Sequence, residues 1–290
     1  MKLIQFYVQH ELHLGIQNDK GVIDLWDETP EADLPRTMRE ALEMGLEETL
    51  ARLAPVEAGA KTFLDPESLR FAPVVDDPEK ILCIGTNYKA HILESGLADS
   101  MTASPNVFAK FRNTLVGHGG KVLRNPASQK HDYEAEIAIV IGKTVSHASR
   151  EEALDAIFGY TLANDISARD LQNAASQWVP GKTCDTFCPL GPCILTRDAV
   201  AYDEMEIRGF KNGEQRQIGH SSDMLYDIPA IVAHLSQICT LVPGDVILTG
   251  TPSGVIMGRP EGQQDWLVPG DRLDVTVPQI GTLTVTVADA

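Results

Sequence analysis

The alternation of apolar and polar positions divides the chain into a short N-terminal part and a longer, strand-rich part. Residues 1–27 alternate as short strands, and the spacing of apolar residues over residues 37–53 predicts one amphipathic helix. Two prolines and two acidic residues then interrupt the pattern. We therefore predict a small, β-rich α+β domain over residues 1–72 and a larger domain over residues 73–290.

Short strands and helices alternate at the start of the larger domain. A buried strand at residues 80–85 precedes a short helix at residues 87–96, and a β-branched strand at residues 133–141 precedes a helix at residues 149–158. The last third of the chain is rich in Thr, Val and Ile with glycine turns, which is typical of an antiparallel sheet or a closed barrel. The pattern as a whole predicts an α+β fold that is predominantly β.

Two acidic side chains lie at the entry to the strand at residues 133–141. Side chains alternate along a strand, so Glu134 and Glu136 face the same side, about 6.5–7 Å apart at Cα. Burying both without a cation between them would be costly. The pair therefore indicates either a metal site or a strand end at which both acids are solvated.

Two further groups of polar residues follow helical spacing. A helix that begins near Asp165 would place Asp165, Arg169 and Gln172 on one face, and in the simplest interpretation Asp165 caps this helix and pairs with Arg169. His91 and Glu94, three residues apart, share one face of the earlier short helix. Spacing alone does not separate a structural from a functional role for either group.

Composition limits the partners of the chain. It has 290 residues and a formal net charge of −17, which argues against nucleic acid or an anionic membrane and requires a locally positive site for any anionic substrate. Apolar runs are too short for a membrane span, and the N-terminus is typical of a strand and not of a signal peptide, so we expect a cytoplasmic location. The five cysteines, an odd number, indicate neither a disulfide framework nor a zinc site.

Five stretches together resemble the fumarylacetoacetate hydrolase family, and the resemblance covers residues from about 70 to 290. They occur in the family's order: Gly85-Thr86-Asn87-Tyr88 followed by His91 and Glu94; Asp132-Tyr133-Glu134-Ala135-Glu136; Asn164-Asp165-Ile166-Ser167-Ala168-Arg169-Asp170; Gly181 to Pro192, which begins Gly-Lys-Thr-Cys-Asp; and Leu248-Thr249-Gly250-Thr251-Pro252.

The resemblance implies a fold, a cofactor and an assembly. Members of this family have a mixed β-roll or barrel, commonly form dimers, and bind a divalent cation, usually Mg²⁺ and sometimes Mn²⁺ or Ca²⁺. By position, the implied metal ligands are Glu134, Glu136 and Asp165. Three carboxylates suit a hard cation chemically, and such a cation would give this acidic chain a positive centre for an anionic keto-acid substrate.

The resemblance also implies roles in catalysis. His91, oriented by Glu94, would remove a proton from water, and Lys182 together with the metal would stabilise the enolate that carbon–carbon cleavage releases. The residues implied in substrate binding are Arg169, Gln172, Thr251 and Tyr88.

The chain departs from the founding fumarylacetoacetate hydrolases at two positions. Those enzymes carry a further acidic ligand in the segment that corresponds to residues 105–112, where this chain has no acid, and a tyrosine where this chain has Ser176. We therefore expect three protein ligands and a resemblance closer to the smaller bacterial branch. The insertion at residues 257–266, with Arg259 and Trp266, is expected to shape the distal substrate pocket.

The expected activity is Mg²⁺-dependent hydrolysis of a β-diketo acid such as an acylpyruvate, which gives a 2-oxo acid and a carboxylic acid. Oxaloacetate decarboxylation, or isomerisation or hydration of an enol acid, is the alternative, because the same cation site would serve all of these reactions. A loop at residues 97–105 is expected to close over the ligand.

Overall fold

The computed structural model describes residues 1–28, 34–94 and 104–290. The predicted loop at residues 97–105 therefore lies outside the described residues, except for its last two positions. The strands are β1 (Lys2–Val8), β2 (Glu11–Asn18), β3 (Gly21–Asp24), β4 (Arg70–Phe71), β5 (Ile81–Gly85), β6 (Asn106–Lys110), β7 (Leu115–Val116), β8 (Lys121–Arg124), β9 (His131–Asp132), β10 (Ala135–Ile141), β11 (Ile157–Asn164), β12 (Ser167–Ala168), β13 (Cys188–Thr196), β14 (Glu206–Lys211), β15 (Glu214–His220), β16 (Val246–Leu248), β17 (Arg272–Val277) and β18 (Gly281–Asp289). The helices are α1 (Leu25–Glu28), α2 (Met38–Met44), α3 (Leu46–Gly59), α4 (Lys89–Glu94), α5 (Arg150–Asp155), α6 (Arg169–Gln172), α7 (Val179–Lys182) and α8 (Ile228–Ile238).

Most of the strands belong to two open, mixed sheets. The larger has the order β3-β2-β1-β13-β11-β10-β16-β5-β6, with β4 beside β1 and β7 beside β13, and the smaller has the order β15-β14-β17-β18-β8. The predicted α+β, predominantly β class is confirmed, and the sheets do not close into a barrel. Strand β1 pairs with β13, with Lys2 opposite Leu195, so the N-terminal strands extend the larger sheet. The domain boundary near residue 72 stays a prediction.

The helix predicted over residues 37–53 is two helices. Thr37 caps α2 by accepting a hydrogen bond from the Glu40 N–H, and Gly45 separates α2 from α3. Gly45 has φ +84°, a backbone conformation that side chains with a Cβ rarely adopt. The apolar spacing continues across Gly45, so the hydrophobic pattern alone did not reveal the break.

Two further predicted helices differ from the structure because residues expected to be helical belong to strands of the sheets or to the segment between them. Helix α5 ends at Asp155, because Ile157 already begins β11 and is buried. The helix expected to begin near Asp165 does not begin there: β11 ends at Asn164, the short strand β12 follows, and α6 begins only at Arg169. Asp165 therefore does not cap a helix.

The order of the larger sheet brings distant segments to one edge. Strand β10 is antiparallel to β11, with Ala135 opposite Asn164, and antiparallel to β16, with Ala138 opposite Leu248. Strand β16 is parallel to β5, with Leu248 beside Cys83. The ends of β11, β16 and β5 therefore meet where β10 begins, and the residues that follow or precede these strands come together there.

Strand β10 is buried along its whole length, and its alternate side chains enter two apolar clusters, one on each face of the sheet. A strand buried on both faces has little freedom to slip in register, because a shift by one residue would exchange its faces. The acidic residues at its start are therefore held by a rigid element. Within the described part of the chain, every helix is too short or too polar to span a membrane.

Candidate metal centre and active site

Three acidic side chains meet at the edge where β10 begins. Glu134 and Glu136 are 5% and 2% exposed, Asp165 is fully buried, and one carboxylate oxygen of each lies within 4.8 Å of the other two. Burial of both glutamates contradicts the interpretation of a solvated strand end. The structure thus brings together the three residues that the resemblance implied as metal ligands.

Backbone hydrogen bonds fix the positions of these acids. The Glu134 N–H donates to Asn164 Oδ1 (2.9 Å), and the Asp165 N–H donates to the Glu134 carbonyl (2.9 Å), so the segments before β10 and after β11 hold each other. The Gly250 N–H, just after β16, donates to Glu136 Oε2 (2.7 Å). The acids are therefore preorganised by the sheet and do not depend on side-chain packing alone.

Two basic residues predicted for the site contact these acids. Lys182 Nζ lies 2.6 Å from Glu134 Oε2 and 2.7 Å from Asp165 Oδ2. Arg169 donates to Glu134 Oε1 (2.7 Å) and Asp132 Oδ2 (2.9 Å), and its Nη1 donates to Gln172 Oε1 (3.0 Å). The predicted ion pair between Arg169 and Asp165 is therefore wrong, because Asp165 pairs with lysines instead.

Lys110 is a residue of the site that the sequence analysis missed. It lies at the end of β6, is 2% exposed, and its Nζ is 2.5 Å from Asp165 Oδ1 and 3.2 Å from the Ile166 carbonyl. Lys110 lies in the segment at residues 105–112, for which the family resemblance predicts only the absence of an acidic ligand. A lysine directly after the apolar run Val107-Phe108-Ala109 at the end of a strand is the signal that could have identified it.

The pKa values of the two glutamates in the cluster are shifted in opposite directions. Burial would raise the pKa of Glu134, but the charges of Lys182 and Arg169 lower it below its usual value. Burial would lower the pKa of Lys182, but Asp165 and Glu134 raise it, so Lys182 is an ammonium. Burial, with the charges of Asp165 and Glu134, raises the pKa of Glu136 well above its usual value. Glu136 is therefore the acid that has most to gain from an added cation.

A cleft opens onto this cluster. It is lined by residues from several of the segments described above, although Asp165 is not among them: Ile84, Gly85, Thr86, His91, Phe108, Glu134, Glu136, Arg169, Gln172, Trp178, Lys182, Gly250, Thr251 and Met257. His91, on α4, is 6% exposed and its Nδ1 lies 3.0 Å from Glu94 Oε1. The Gly254 N–H in turn donates to both Glu94 oxygens at 2.9 Å. The predicted His91–Glu94 pair is thus formed, and its histidine lines the same cleft as Glu134 and Glu136.

The other predicted binding residues have different surroundings. Thr251 lines the cleft, but its hydroxyl donates to the Ala135 carbonyl (2.9 Å) and accepts from Gln217 Nε2 (2.8 Å). A ligand would therefore meet the Thr251 backbone and methyl group more readily than its hydroxyl. Tyr88 is 3% exposed, packs in an apolar cluster and is not among the residues that line the cleft. Its role in substrate binding stays a prediction.

Part of the insertion at residues 257–266 reaches the cleft. Met257 lines it. Arg259 donates to Asp265 Oδ1 (3.2 Å), and Trp266 packs in an apolar cluster under Lys130. The contribution of the insertion to the described cleft thus comes from Met257, and the pocket-shaping role expected for Arg259 and Trp266 has no support from the residues that line it.

Aromatic residues form one wall of the cleft. The rings of Phe108 and Trp178 pack edge to face, with centroids 5.4 Å apart, and Lys182 Nζ lies 5.1 Å from the Phe108 centroid. Gly85 lies against Trp178, where a Cβ would overlap the indole ring. An apolar wall opposite a charged cluster suits a small ligand with a polar end and a short apolar middle.

The donor set fits a hard divalent cation. All three candidate ligands are carboxylates, which Mg²⁺, Mn²⁺ and Ca²⁺ accept, and the cluster offers no thiolate that would favour a soft metal. Four buried acids, counting Asp132, face three buried bases, so the cluster carries a formal excess of one negative charge. A divalent cation would turn this into an excess of one positive charge, which suits an anionic ligand.

Comparison with known proteins agrees with this geometry. Residues 80–288 match the model of the fumarylacetoacetate hydrolase C-terminal domain. The human protein oxaloacetate tautomerase FAHD2A, mitochondrial, is 38% identical over 98% of this chain and 90% of its own length. Oxaloacetate tautomerase YisK of Bacillus subtilis is 40% identical over 79% of this chain and 76% of its own length.

Solved structures agree as well. Fumarylacetoacetate hydrolase from Exiguobacterium antarcticum is 31% identical with a TM-score of 0.82 over the whole of both chains. Maleylpyruvate hydrolase from Sphingobium, in complex with manganese(II) ion and pyruvate, is 28% identical with a TM-score of 0.81, also over the whole of both chains. The chain belongs to the fumarylacetoacetate hydrolase family.

Proposed function

We propose that this protein interconverts the enol and keto forms of a small 2-oxo dicarboxylic acid, with oxaloacetate as the first substrate to test, at a divalent-cation site. The observation that carries the proposal is one cleft lined by Glu134, Glu136 and His91. A carboxylate oxygen of Asp165 lies within 4.8 Å of both glutamates, and His91 pairs with Glu94. The choice of reaction is supported by two relatives, 38% and 40% identical, that are named oxaloacetate tautomerases. It takes up the isomerase alternative that the sequence left open.

Glu134, Glu136 and Asp165 would hold the cation. When bound there, Mg²⁺ or Mn²⁺ would polarise the 2-oxo group of a keto acid and make the neighbouring carbon more acidic. Mn²⁺ is a reasonable second choice beside Mg²⁺, because a structurally similar maleylpyruvate hydrolase has been solved with manganese(II). Both ions prefer oxygen ligands and keep positions for water or substrate.

Basic residues around the cation site would bind the carboxylates of the substrate. Arg169 and Lys182 are buried cations whose charges are already directed at the cluster, and Gln172 holds Arg169 in place at 3.0 Å. Buried cations bind an anion strongly, because water does not screen them. We assign substrate binding to Arg169, Lys182 and Gln172, with the apolar wall of Phe108 and Trp178 limiting the length of the substrate.

His91 is the residue that we assign to proton transfer. Going from enol to keto, one proton leaves the enol oxygen and one is added to the adjacent carbon, so the composition does not change and no further reactant is needed. Glu94 engages Nδ1, and it would stabilise the imidazolium that forms while His91 holds the proton.

Hydrolysis of a β-diketo acid is the second candidate. The same His91–Glu94 pair would serve as a base toward water, as expected from the sequence, and the structurally similar maleylpyruvate hydrolase is named for hydrolysis. The two reactions differ in whether water or the substrate carbon exchanges the proton with His91. A product assay separates them.

The test uses the purified protein with Mg²⁺ or Mn²⁺. Enol-oxaloacetate is supplied, and loss of its ultraviolet absorbance is measured beside keto-oxaloacetate, which malate dehydrogenase detects, and pyruvate, which lactate dehydrogenase detects. We expect cation-dependent formation of keto-oxaloacetate without pyruvate. Formation of pyruvate would indicate decarboxylation, and activity limited to acylpyruvates or maleylpyruvate would favour the hydrolase instead.

We also propose that the protein forms a homodimer and is located in the cytoplasm. The family commonly forms dimers, and several large apolar side chains are exposed on the single chain, among them Phe111 at 53% and Ile218 at 49%. Light scattering after size exclusion would measure the assembly. A mass near that of one 31.6 kDa chain would contradict the dimer.

A further inference from the structure

We infer that Lys110 is a positioning residue of the metal centre, one that holds Asp165 as a ligand from outside the cleft. The inference rests on the cation site of the proposed function. Asp165 uses its two carboxylate oxygens differently: Oδ1 is 2.5 Å from Lys110 Nζ, and Oδ2 is 2.7 Å from Lys182 Nζ. Lys182 lines the cleft and Lys110 does not.

Lys110 is anchored as a fixed support. Its side chain is completely buried, and its Nζ also donates to the Ile166 carbonyl at 3.2 Å, so the ammonium is tied to both Asp165 and the residue after it. Buried lysines are rare unless paired, since burying an ammonium is costly. The buried Lys110 ammonium, which is costly to desolvate, therefore fixes the position of Asp165 Oδ1.

The strand that carries Lys110 supports a second residue of the cluster. Phe108 and Lys110 lie two residues apart on β6 and face the same side, because side chains alternate along a strand. Phe108 lies 5.1 Å from Lys182 Nζ, and Lys110 contacts Asp165. One face of β6 thus positions both groups that flank Asp165, and β5 holds β6 in register, with Ile81 opposite Lys110.

The two carboxylate oxygens of Asp165 differ in role because different lysines contact them. The Lys110 ammonium on Oδ1 neutralises part of the charge of Asp165 and restricts its rotamer, while Oδ2 pairs with Lys182, which also contacts Glu134. Residues that orient metal ligands in this way typically change metal affinity by about 10- to 100-fold when removed. Lys110 supplies positive charge in the segment where the sequence analysis found no acidic ligand.

The test measures cation binding and not turnover alone. Mn²⁺ affinity is determined by titration calorimetry and by the electron paramagnetic resonance signal of free Mn²⁺, for wild type, Lys110→Ala and Lys110→Met. We expect affinity to fall by about 10- to 100-fold in both variants. Propylamine, which can replace the missing side chain of Lys110→Ala, should restore part of it.

The matched control is Lys80, which pairs with another fully buried acid, Asp245, at 2.9 Å but lies away from the cleft. Lys80→Ala should lower thermal stability and leave Mn²⁺ affinity unchanged. If neither Lys110→Ala nor Lys110→Met folds, Lys110→Arg keeps the charge with a larger, differently shaped head group, and we expect it to fold and bind Mn²⁺ about tenfold more weakly.

Several results would overturn the inference. Wild-type affinity in the folded Lys110 variants would remove the positioning role, as would an equal loss of affinity in Lys80→Ala or a loss in Lys110→Ala that no amine restores. Failure of the wild-type protein to bind any divalent cation would overturn the proposed metal centre itself, and this outcome is distinguishable because it precedes any comparison of variants.

Discussion

At the scale of single residues, short sequence motifs identified the proposed metal ligands and the proposed proton-transfer pair, but they did not identify Lys110. Glu134, Glu136 and Asp165 lie in segments whose order along the chain is informative, so their convergence could be expected before the structure. Lys110 has no motif, and its contact with Asp165 spans 55 residues of sequence. A lysine at a strand end is ordinarily solvated, and only the fold shows that this one is buried.

His91 is the first residue to test, because its two possible roles predict different results. Replacing His91 by Ala should lower turnover of enol-oxaloacetate by about 10²- to 10⁴-fold, the usual contribution of a general acid–base group, since no other group near the cleft is paired with Glu94 in the same way within the described residues. Mn²⁺ affinity should not change.

The control for this substitution is His147, which is on the surface and bonds Gln237 at 3.1 Å. His147→Ala should retain full turnover. Wild-type rates in His91→Ala would remove His91 from the mechanism, whereas a parallel loss of Mn²⁺ affinity would give it a structural or ligating role instead.

Replacing Gly85 by Ala tests whether the apolar wall of the cleft binds the substrate. A Cβ there would overlap the Trp178 ring, so Gly85→Ala should displace the indole and disturb its packing against Phe108. We expect the KM for oxaloacetate to rise several-fold with a smaller change in kcat, because the wall binds substrate and does not take part in proton transfer.

Gly59→Ala is the matched control, since a Cβ at Gly59 would meet nothing within 4 Å. Steady-state kinetics of the two variants measure the effect. An unchanged KM in Gly85→Ala would show that Trp178 does not contact the substrate.

At the scale of elements, the hydrophobic pattern predicted strands better than helices. The strands at residues 1–27, 80–85 and 133–141 are present, since alternation and β-branched runs identify them directly. The helix predicted at residues 87–96 is present as α4, whereas three other predicted helices differ in their bounds, and the first of them extends to Gly59. Gly45 divides one helix, and the sheet takes up the residues at which the others were expected to end or begin.

The link between α5 and α8 provides a prediction about stability. Asp227 caps α8 by accepting from the Ala230 N–H (3.0 Å), and both its oxygens pair with Arg150 of α5, at 2.9 and 2.6 Å. Burial would raise the pKa of Asp227, but the hydrogen bonds from Arg150 and the Ala230 N–H lower it below its usual value.

Because the folded pKa is lowered, the charge of Asp227 stabilises the protein above the unfolded pKa of about 3.9 and is lost as the pH falls through the folded value. At pH 7, Asp227→Ala should lower the free energy of unfolding by about 1–2 kcal/mol, and Asp227→Asn, which keeps a capping oxygen, by less than about 1 kcal/mol, since the pair with Arg150 is partly exposed.

Urea unfolding at pH 7 and near pH 3 measures both effects. The difference between wild type and Asp227→Asn should shrink at the lower pH, while the deficit of Asp227→Ala should persist in part, because it includes the lost cap. A difference between wild type and Asp227→Asn that grows on acidification would contradict the assigned sign.

At the scale of the whole molecule, the order of strands in the larger sheet could not be predicted from the local pattern. Strand β1 pairs with β13, so Lys2 lies opposite Leu195, and β16 inserts between β10 and β5. Such pairings depend on the packing of distant segments, which periodicity does not encode. The hydrophobic pattern predicted the fold class and the family resemblance implied a β-roll or barrel, but the open arrangement of the sheets became visible only in the structure.

The proposed metal centre joins the ends of several of these distant strands, so we expect cation binding to stabilise the whole protein. A cation at about a hundred times its dissociation constant stabilises a folded chain by about 2.7 kcal/mol when it does not bind the unfolded chain. For a chain of this size that corresponds to a rise in Tm of about 4–5 °C. We expect Mn²⁺ to produce this shift and EDTA to reverse it.

The variants Glu136→Gln and Glu47→Gln test whether the rise in Tm comes from a cation at the proposed site. Glu136 is the buried acid with an elevated pKa in the cluster, whereas the side chain of Glu47 is 63% exposed on the surface. Differential scanning fluorimetry with and without Mn²⁺ should show the shift in wild type and Glu47→Gln and its loss in Glu136→Gln. An equal shift in all three would place the stabilising cation elsewhere on this acidic chain, because nonspecific binding to a net charge of −17 does not depend on one buried glutamate.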